Sequence, residues 1–407
     1  MTFIERDLPP YPHYSKMREN DPIYFNSTRK LWEIYRYKDV QTVLSDPLTF
    51  SSEFFHAIGK PELQTLNAMD PPRHTKFRKL LAVAFTSKIV AAQEQNIRKV
   101  ISAQIEKVKY SGEIGKVISA QIEKVKYSGE IDLIADLAFP LPATIIATML
   151  GVPPNDIEKF KEWGFHAFKV AESALQNLSP SQQALDGVKQ MTDYLSEFAC
   201  LRRDSPAEDL ISALSCAVVD GESLTKEEIA NTCKLLMVAG TDTTQLLIGN
   251  SMHLLLQAPE LKQQLTQNPE LLDGFIEEVL RFATPFQHSA RIATRDVELN
   301  GHLIKRGQWV VAFLGSANRD PEAFANPENF DITRSPNRHL TFGYGIHFCI
   351  GAPLGRLETK VAIMALIHAF PELRLNPAKP VRFIQDNILQ FGLRSLPAMF
   401  STSSVTI

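Results

Sequence analysis

The sequence predicts a mainly α-helical protein with small β-sheets, an α+β chain folded as a single compact domain over residues 1–407. Three observations carry that reading. Apolar residues recur at helical spacing from Asp70 to about Leu280, and again from about Ile350 to Phe370. Strand-like alternation is confined to short stretches near the two ends and around Asn300-Gly301. No Ser- or Gly-rich linker interrupts the chain.

The first 70 residues mix short extended patterns with Pro and Asp punctuation, and Leu31 to Tyr37 alternates as a strand does. Further on, Thr225 and Glu228 form a capping-box pattern, and no proline follows until Pro259. That spacing predicts one helix of about 33 residues, roughly 50 Å long. In its middle sits Ala239-Gly-Thr-Asp-Thr-Thr244. Gly, Asp and Thr are poor helix formers, and hydroxyls compete for backbone carbonyls, so a local distortion is expected there. Asp296 to Phe313 returns to strand patterning with a hairpin signal at Asn300-Gly301. A Pro-rich meander from Asp320 to Pro336 leads into a glycine-rich loop, a helix and a tail of short strands from Val381 to Phe400.

Lys99 to Ile114 recurs residue for residue at Lys116 to Ile131, a tandem 17-residue duplication spanning 99–131. In the first copy Ile97, Val100, Ile101, Ile105 and Val108 make an apolar stripe. One continuous helix through both copies would rotate the second stripe by roughly 100°, so a single partner surface could not bury both. Gly112 and Gly115 at the joint each weaken a helix by about 1 kcal/mol. The expectation is helix, break, helix. The first copy completes a helix begun near Ser87, and the second forms an extra helical arm on the surface, leading into Asp132.

A hydrophobic fraction of 44%, a charged fraction of 22% and a net charge of −3 fit a globular core. They give no pointer to nucleic acid or an anionic membrane as partner. The four cysteines, Cys200, Cys216, Cys233 and Cys349, lie far apart, without zinc-ligand spacing, and suit a reducing compartment. Met1 to Asp7 has no apolar run, and Leu137 to Leu150 is too short to span a bilayer. A cytoplasmic protein without a membrane anchor is expected.

The densest chemical signal is Phe342-Gly-Tyr-Gly-Ile-His-Phe-Cys349-Ile-Gly351. Cys349 precedes a helical pattern, and a helix N-terminus favours a thiolate. A buried, inert cysteine is the plainer reading. A dinucleotide loop fails, because Phe348 stands where the third glycine belongs. A thiolate held this way is a good haem ligand whose electron push promotes O–O cleavage.

In this loop the chain resembles the cytochrome P-450 family, whose haem signature is F-G-x-G-x-[HR]-x-C-x-G. Every specified position matches, although Gly355 stands where an Ala is common. The resemblance spans nearly the whole chain and is closest to soluble bacterial members acting on fatty acids, terpenoids and steroids. It implies the cytochrome P-450 fold and haem b (iron protoporphyrin IX), with Cys349 as axial iron ligand and Phe342, Gly343 and Gly351 shaping the haem loop. It makes Asp242 and Thr243 an acid–alcohol pair for proton delivery, with Ala239 and Gly240 leaving space for oxygen.

Glu278 and Arg281, at i,i+3 on one helix face, are on their own a common solvated pair. The family buries such a pair with an arginine of the meander, here Arg334, in support of the cysteine loop. His74, Arg78, Arg291 and His347 match the positions that hold the haem propionates, for which Arg is well suited. Arg73, Lys76, Lys79 and Arg356 are the candidates for receiving an acidic ferredoxin.

The implied activity is insertion of one oxygen atom from O2 into a lipophilic substrate. Electrons come from NAD(P)H through a separate ferredoxin or flavodoxin and its reductase, since no flavin, nicotinamide or iron–sulfur motif is present. Segments expected to line the substrate chamber include Phe54, Phe55, Leu236, Pro285, Phe286, Gln287, Gln390 and Phe391, with His56, Gln287, His288 and Gln390 as orienting groups. Core packing is the plainer reading of each. Two rivals stand beside the monooxygenase. A peroxygenase of this family lacks the acid–alcohol pair. A noncatalytic haem sensor or electron carrier needs neither the pair nor an apolar chamber.

Overall fold

The computed structural model describes residues 10–57, 65–82, 85–111, 128–175, 179–219, 221–384 and 389–401. Backbone contacts group them into two units. The first comprises Met1–Val83, Gly274–Ala352 and Asp386–Phe391, and the second Ala84–Asp273, Pro353–Gln385 and Gly392–Ile407.

The first unit is built on a five-stranded sheet, in the order Ile23–Asn26, Leu31–Ile34, Trp309–Phe313, His288–Ala293, Phe50–Ser51. Leu31–Ile34 and Trp309–Phe313 run parallel; the other neighbours are antiparallel. Ile34, Val310 and Ala312 on the sheet bury against Val40, Val43 and Leu44 of the helix Tyr37–Ser45. Burying each larger apolar side chain contributes about 1.5–3 kcal/mol. The strand expected from Leu31 to Tyr37 stops at Ile34, and Tyr37 opens that helix. The carboxylate of Asp320 takes the Tyr37 backbone N–H at 2.7 Å, satisfying a donor that the helix start leaves orphaned. The expected hairpin is present: Val297–Leu299 pairs with His302–Ile304, and Asn300 and Gly301 both take positive φ (45° and 81°).

The second unit is dominated by helices. Its longest, Lys226–Gln257, packs against Pro140–Leu150, Ile157–Leu175 and Gln182–Asp204. The capping box is made: Thr225 Oγ1 accepts the Glu228 N–H at 3.1 Å, and Glu228 accepts the Thr225 N–H at 2.9 Å. The chain stays α-helical through Ala239–Thr244, so the expected distortion does not interrupt it. Among the described residues no helix is long and apolar enough to cross a membrane.

The first repeat copy completes the helix Ser87–Ser111, with Ile97, Ile101 and Ile105 buried as the stripe requires. The helix is described up to Ser111, and the joint and most of the second copy, residues 112–127, where the break and second helix are expected, lie outside the described residues. Its last residues correct the expected helical lead-in. Ser128–Asp132 is a strand, antiparallel to Pro397–Ser401. A Cβ at Gly129 would come 2.2 Å from the ring of Phe400, so the bare backbone lets the ring lie across it. The Asp132 carboxylate then accepts the N–H groups of Ile134 and Leu396 and the hydroxyl of Ser395.

Candidate functional site

The cysteine loop belongs to the first unit and is held by its own backbone. Cys349 N–H donates to Phe342 O at 2.8 Å, Phe348 N–H to Gly345 O at 3.1 Å, and Gly343 N–H to Leu340 O at 2.8 Å. Gly343 and Gly345 sit at φ of 74° and 72°, a region that favours glycine. Gly345 also passes close to the helix Tyr37–Ser45, where a Cβ would meet Leu44 O at 2.9 Å. Cys349 is exposed and not in a disulfide, and helix Ala352–Ala369 begins three residues later. The open side of Gly351 faces Cys349 Sγ at 3.9 Å. The Phe342 ring is tilted against both His339, at 5.8 Å, and Phe348, at 6.2 Å.

Four cationic or imidazole side chains gather around this loop. The rings of His74 and His347 lie 4.4 Å apart, centroid to centroid. Burial, then Arg291, His74 and Arg78, push the His347 imidazolium down to about 3, so the ring is neutral. Burial and Arg78 lower His74 as well. Both ring nitrogens of His74 and Nε2 of His347 are buried without a hydrogen-bond partner. Arg291 is 4% exposed. Burial pushes its pKa down to about 10, which leaves it charged at neutral pH. Among the described residues its Nη1 donates to Ser289 Oγ and Ala290 O, each at 2.8 Å. Burial lowers Arg78 too, and the nearby Cys349 sulfur counters it. Among the described residues neither arginine has an ion-pair partner.

Buried cations and orphaned imidazole nitrogens are costly unless an anion or acceptor completes them. A planar dianion with two carboxylates, lying beside a thiolate, fits this set. Haem, with its two propionates, has that chemistry.

Behind the loop, Glu278 and Arg281 on helix Leu272–Phe282 are both fully buried. The guanidinium grips the carboxylate at 2.7 and 2.8 Å, and also donates to the carbonyls of Asn318, Pro327 and Asn329. Arg334 reaches Glu278 at 3.2 Å, and Asp331 N–H and the Asn337 side chain complete the carboxylate. Asn318, which sequence reasoning missed, ties the network to the loop. Its amide donates to Thr284 and Thr341, and its oxygen accepts the Leu340 N–H. A lone Asn carries no spacing signal, so nothing in the sequence marks it.

The expected substrate segments of this unit are Phe54–Ala57, Pro285 to Gln287, and Leu389 to Phe391. Phe54 and Phe55 are half-buried with rings 4.7 Å apart, and His56 is exposed. The other two segments pair backbone to backbone: Gln287 N–H meets Leu389 O at 2.7 Å and Phe391 N–H meets Pro285 O at 2.8 Å, with Phe286 bridging Gln390. Gln287 departs from its expected role as an orienting group. Its side chain is 2% exposed, donates to Thr284 O at 2.6 Å and fills the space left by Gly315. Arg73 and Lys79 are exposed and Lys76 half-buried, all on helix Arg73–Ala82.

Asp242 and Thr243 belong to the second unit, both half-buried on Lys226–Gln257. The Thr243 hydroxyl donates to Ala239 O at 2.7 Å. A cavity of about 20 Å³, roughly room for one water, is lined by Asp242, Thr241, Lys161, Phe165, Met237 and others. Gly240 does not present its bare side to a chamber: a Cβ there would meet Ile146 Cδ1 at 3.0 Å, so the glycine serves helix packing. Ala239 is exposed, and Leu236 is buried. Arg356 is half-buried on Ala352–Ala369. Two residues on, Glu358 is 1% exposed, and burial pushes its carboxyl up to about 8.

Residues 22–402 match the family model described as cytochrome P-450. Cytochrome P-450 109 of Bacillus spizizenii is 38% identical over 368 residues, covering 89% of this chain and 85% of the relative. The erythromycin C-12 hydroxylase of Saccharopolyspora erythraea is 34% identical over 392 residues, 95% of this chain and 93% of that protein. The crystal structure of CYP109E1 from Bacillus megaterium, in complex with testosterone, superposes with a TM-score of 0.84 at 34% identity, over 96% of this chain and 99% of that one. With a family model spanning almost every residue and relatives matched nearly end to end, the chain belongs to the cytochrome P-450 family of haem-binding monooxygenases.

Proposed function

We propose that the chain holds haem b through the Cys349 thiolate and oxygenates a lipophilic substrate. Electrons arrive from NAD(P)H through a separate ferredoxin or flavodoxin and its reductase in the cytoplasm. The observation that carries the reading is the group of His74 and Arg291, buried, with Arg78 and His347, half-buried, around the Cys349 loop, with no acidic ion-pair partner among the described residues. Bound haem supplies the activation of O2 itself. Arg291 and Arg78 offer charge-assisted bonds to the propionates, which turns their burial from a cost into a gain. The two imidazoles supply further donors once a carboxylate favours their protonation. The loop fixes the Cys349 sulfur, and the buried Glu278–Arg281–Arg334 network braces the loop from behind.

Proton supply falls to the second unit. The Asp242 carboxyl borders a water-sized cavity and can take a proton from a water there. The Thr243 hydroxyl, held on Ala239 O, can accept a proton on one lone pair while giving one up. An intact pair of this kind favours O2 over peroxide as oxidant. Phe54, Phe55, Pro285, Phe286 and Phe391 of the first unit supply apolar surface, and Gln390 a polar contact. A steroid-sized or acyl substrate suits such a lining, in keeping with the testosterone-bound neighbour. Arg73, Lys76 and Lys79 on one helix of the first unit offer positive charge to an acidic ferredoxin.

The test has two parts. The reduced protein with carbon monoxide should show the red-shifted Soret band of thiolate-bound haem, and Cys349→Ala should abolish it. Product should form with NADH, ferredoxin and reductase, and far less with peroxide alone. Retention of the band in Cys349→Ala sinks the ligand assignment, and peroxide-only turnover sinks the monooxygenase reading.

A further inference from the structure

The helices Ile157–Leu175 and Gln182–Asp204 of the second unit pack side by side. A cavity of about 390 Å³ lies along their seam, separate from the water-sized one at Asp242. Glu162, Trp163 and His166 line it from the first helix, and Gln183, Asp186 and Gln190 from the second. Gly187 is part of the wall, where any Cβ would collide with the His166 ring, so the helices close on one another while the space beside them stays unfilled. The lining is one-sided in charge. Each helix brings a carboxylate, and no lysine or arginine lines the cavity. The adjoining Lys161 and Lys189 are committed elsewhere, to Glu158 at 2.9 Å and Asp193 at 2.7 Å. Glu162 has His166 Nε2 at 3.9 Å, and Asp186 accepts from Gln182 Nε2 at 2.9 Å. Neither carboxylate has a lysine or arginine partner among the described residues. Trp163 gives its N–H to Gln190 Oε1 at 3.1 Å, which leaves its ring as a π-surface for a cation. One turn of Ile157–Leu175 serves both cavities: Lys161, Gly164 and Phe165 line the space at Asp242, and Glu162, Trp163 and His166 line this one. Gly164 lies directly on the long helix, where a Cβ would meet Met237 Cε at 3.1 Å.

We propose that this seam cavity is an effector site for a small aliphatic dication, a diamine or polyamine, whose binding holds Phe165 against Asp242. Two ammonium groups answer the carboxylates of both walls at once, and the stem between them lies against the indole. Its volume is within the range of small-molecule sites. Exposed ion pairs are individually weak, so the dissociation constant is on the order of 1 mM at low salt and rises with ionic strength. Glu162 and Trp163 share a hydrogen-bonded turn with Phe165, so a ligand that fixes them fixes Phe165 as well. With Phe165 held, the cavity at Asp242 keeps its one-water size, and exchange of that water with solvent slows. Proton supply through Asp242 slows with it. That effect rests on the haem reading above; the binding does not.

The probe is 1,5-diaminopentane, with 1,5-pentanediol as its uncharged counterpart, each titrated into the holoenzyme by calorimetry. Wild type should bind a single diamine, and the diol should not bind. Glu162→Gln and Asp186→Asn, both at exposed positions, should each weaken the diamine by roughly threefold. No binding to wild type overturns the site, as does equal affinity for the diol. Affinity that neither substitution changes also overturns it, since the amine is then on the iron or elsewhere. The second reading is hydrogen peroxide formed per NADH consumed by substrate-free enzyme with ferredoxin and reductase, a ratio that does not depend on how fast ferredoxin docks. Saturating diamine should raise it by roughly twofold in wild type and leave it unchanged in the Glu162→Gln, Asp186→Asn double variant. A diamine that binds at the seam and leaves the ratio unchanged, or lowers it, overturns the effector role. If the protein takes up no haem, the functional reading fails, and calorimetry alone judges the site.

Discussion

Thr243 spends its hydroxyl on Ala239 O, the back-bond that a threonine makes inside a helix. Removing that hydroxyl leaves the helix intact, so Thr243→Ala should bind haem and substrate normally. It should divert most reducing equivalents from product to hydrogen peroxide, measured as product and peroxide formed per NADH. Unchanged coupling would remove Thr243 from proton delivery. Asp242→Asn should slow turnover by roughly 100-fold, since it removes the acid and keeps the shape. Glu358 carries a different prediction. Its folded pKa, about 8, lies above the ordinary 4.5, so the fold prefers the neutral acid. Its contribution to stability is complete below about pH 4.5 and is lost as pH rises through 8. Glu358→Gln should flatten that decline and raise the urea midpoint at pH 8 relative to wild type. A wild-type midpoint that does not fall between pH 5 and 8 would count against it. Cys349 and its glycines are legible in sequence because the pattern is dense and local. Glu358 and Gln287 are not, because burial is set by distant chain that no spacing encodes.

At the scale of elements, the capping box, the long helix and the hairpin at Asn300-Gly301 follow from local chemistry and were legible. Boundaries set by tertiary contacts were not. Tyr37 leaves its strand because Asp320, remote in sequence, caps it. The helix runs unbroken through Ala239–Thr244, and Gly240 answers to Ile146. Glu278–Arg281 reads as an ordinary surface pair until the meander closes over it. That closure makes the pair sensitive. Glu278→Gln leaves two buried guanidiniums without their carboxylate, and should cost about 3–5 kcal/mol. The reading is the urea midpoint together with the fraction of protein that keeps its thiolate carbon-monoxide band. A loss under 1 kcal/mol would mean the network is not needed by the loop.

At the scale of the whole molecule, the described parts of the 17-residue repeat come from different ends of the unit. The first copy is described as helix up to Ser111, and the second from Ser128 as a strand. Each part follows what its surroundings supply: an apolar stripe to bury in one case, Phe400 and the partners of Asp132 in the other. Deleting Lys99 to Gly115 joins Arg98 to Lys116 and leaves one copy to serve both roles. That variant should fold, bind haem and turn over as wild type does. Loss of the thiolate carbon-monoxide spectrum would show that the duplicate has become necessary.

The repeat has a consequence for heredity. Cutting out Lys99 to Gly115 or Gly112 to Ser128 yields the same polypeptide, because the flanking residues are the same. A gene that loses one unit by strand slippage therefore arrives at a single product wherever the breakpoints fall within the repeat. Since helix and strand draw on different parts of the unit, that product still carries both. Contraction is open to such a lineage in one mutational step, with no intermediate that lacks either element.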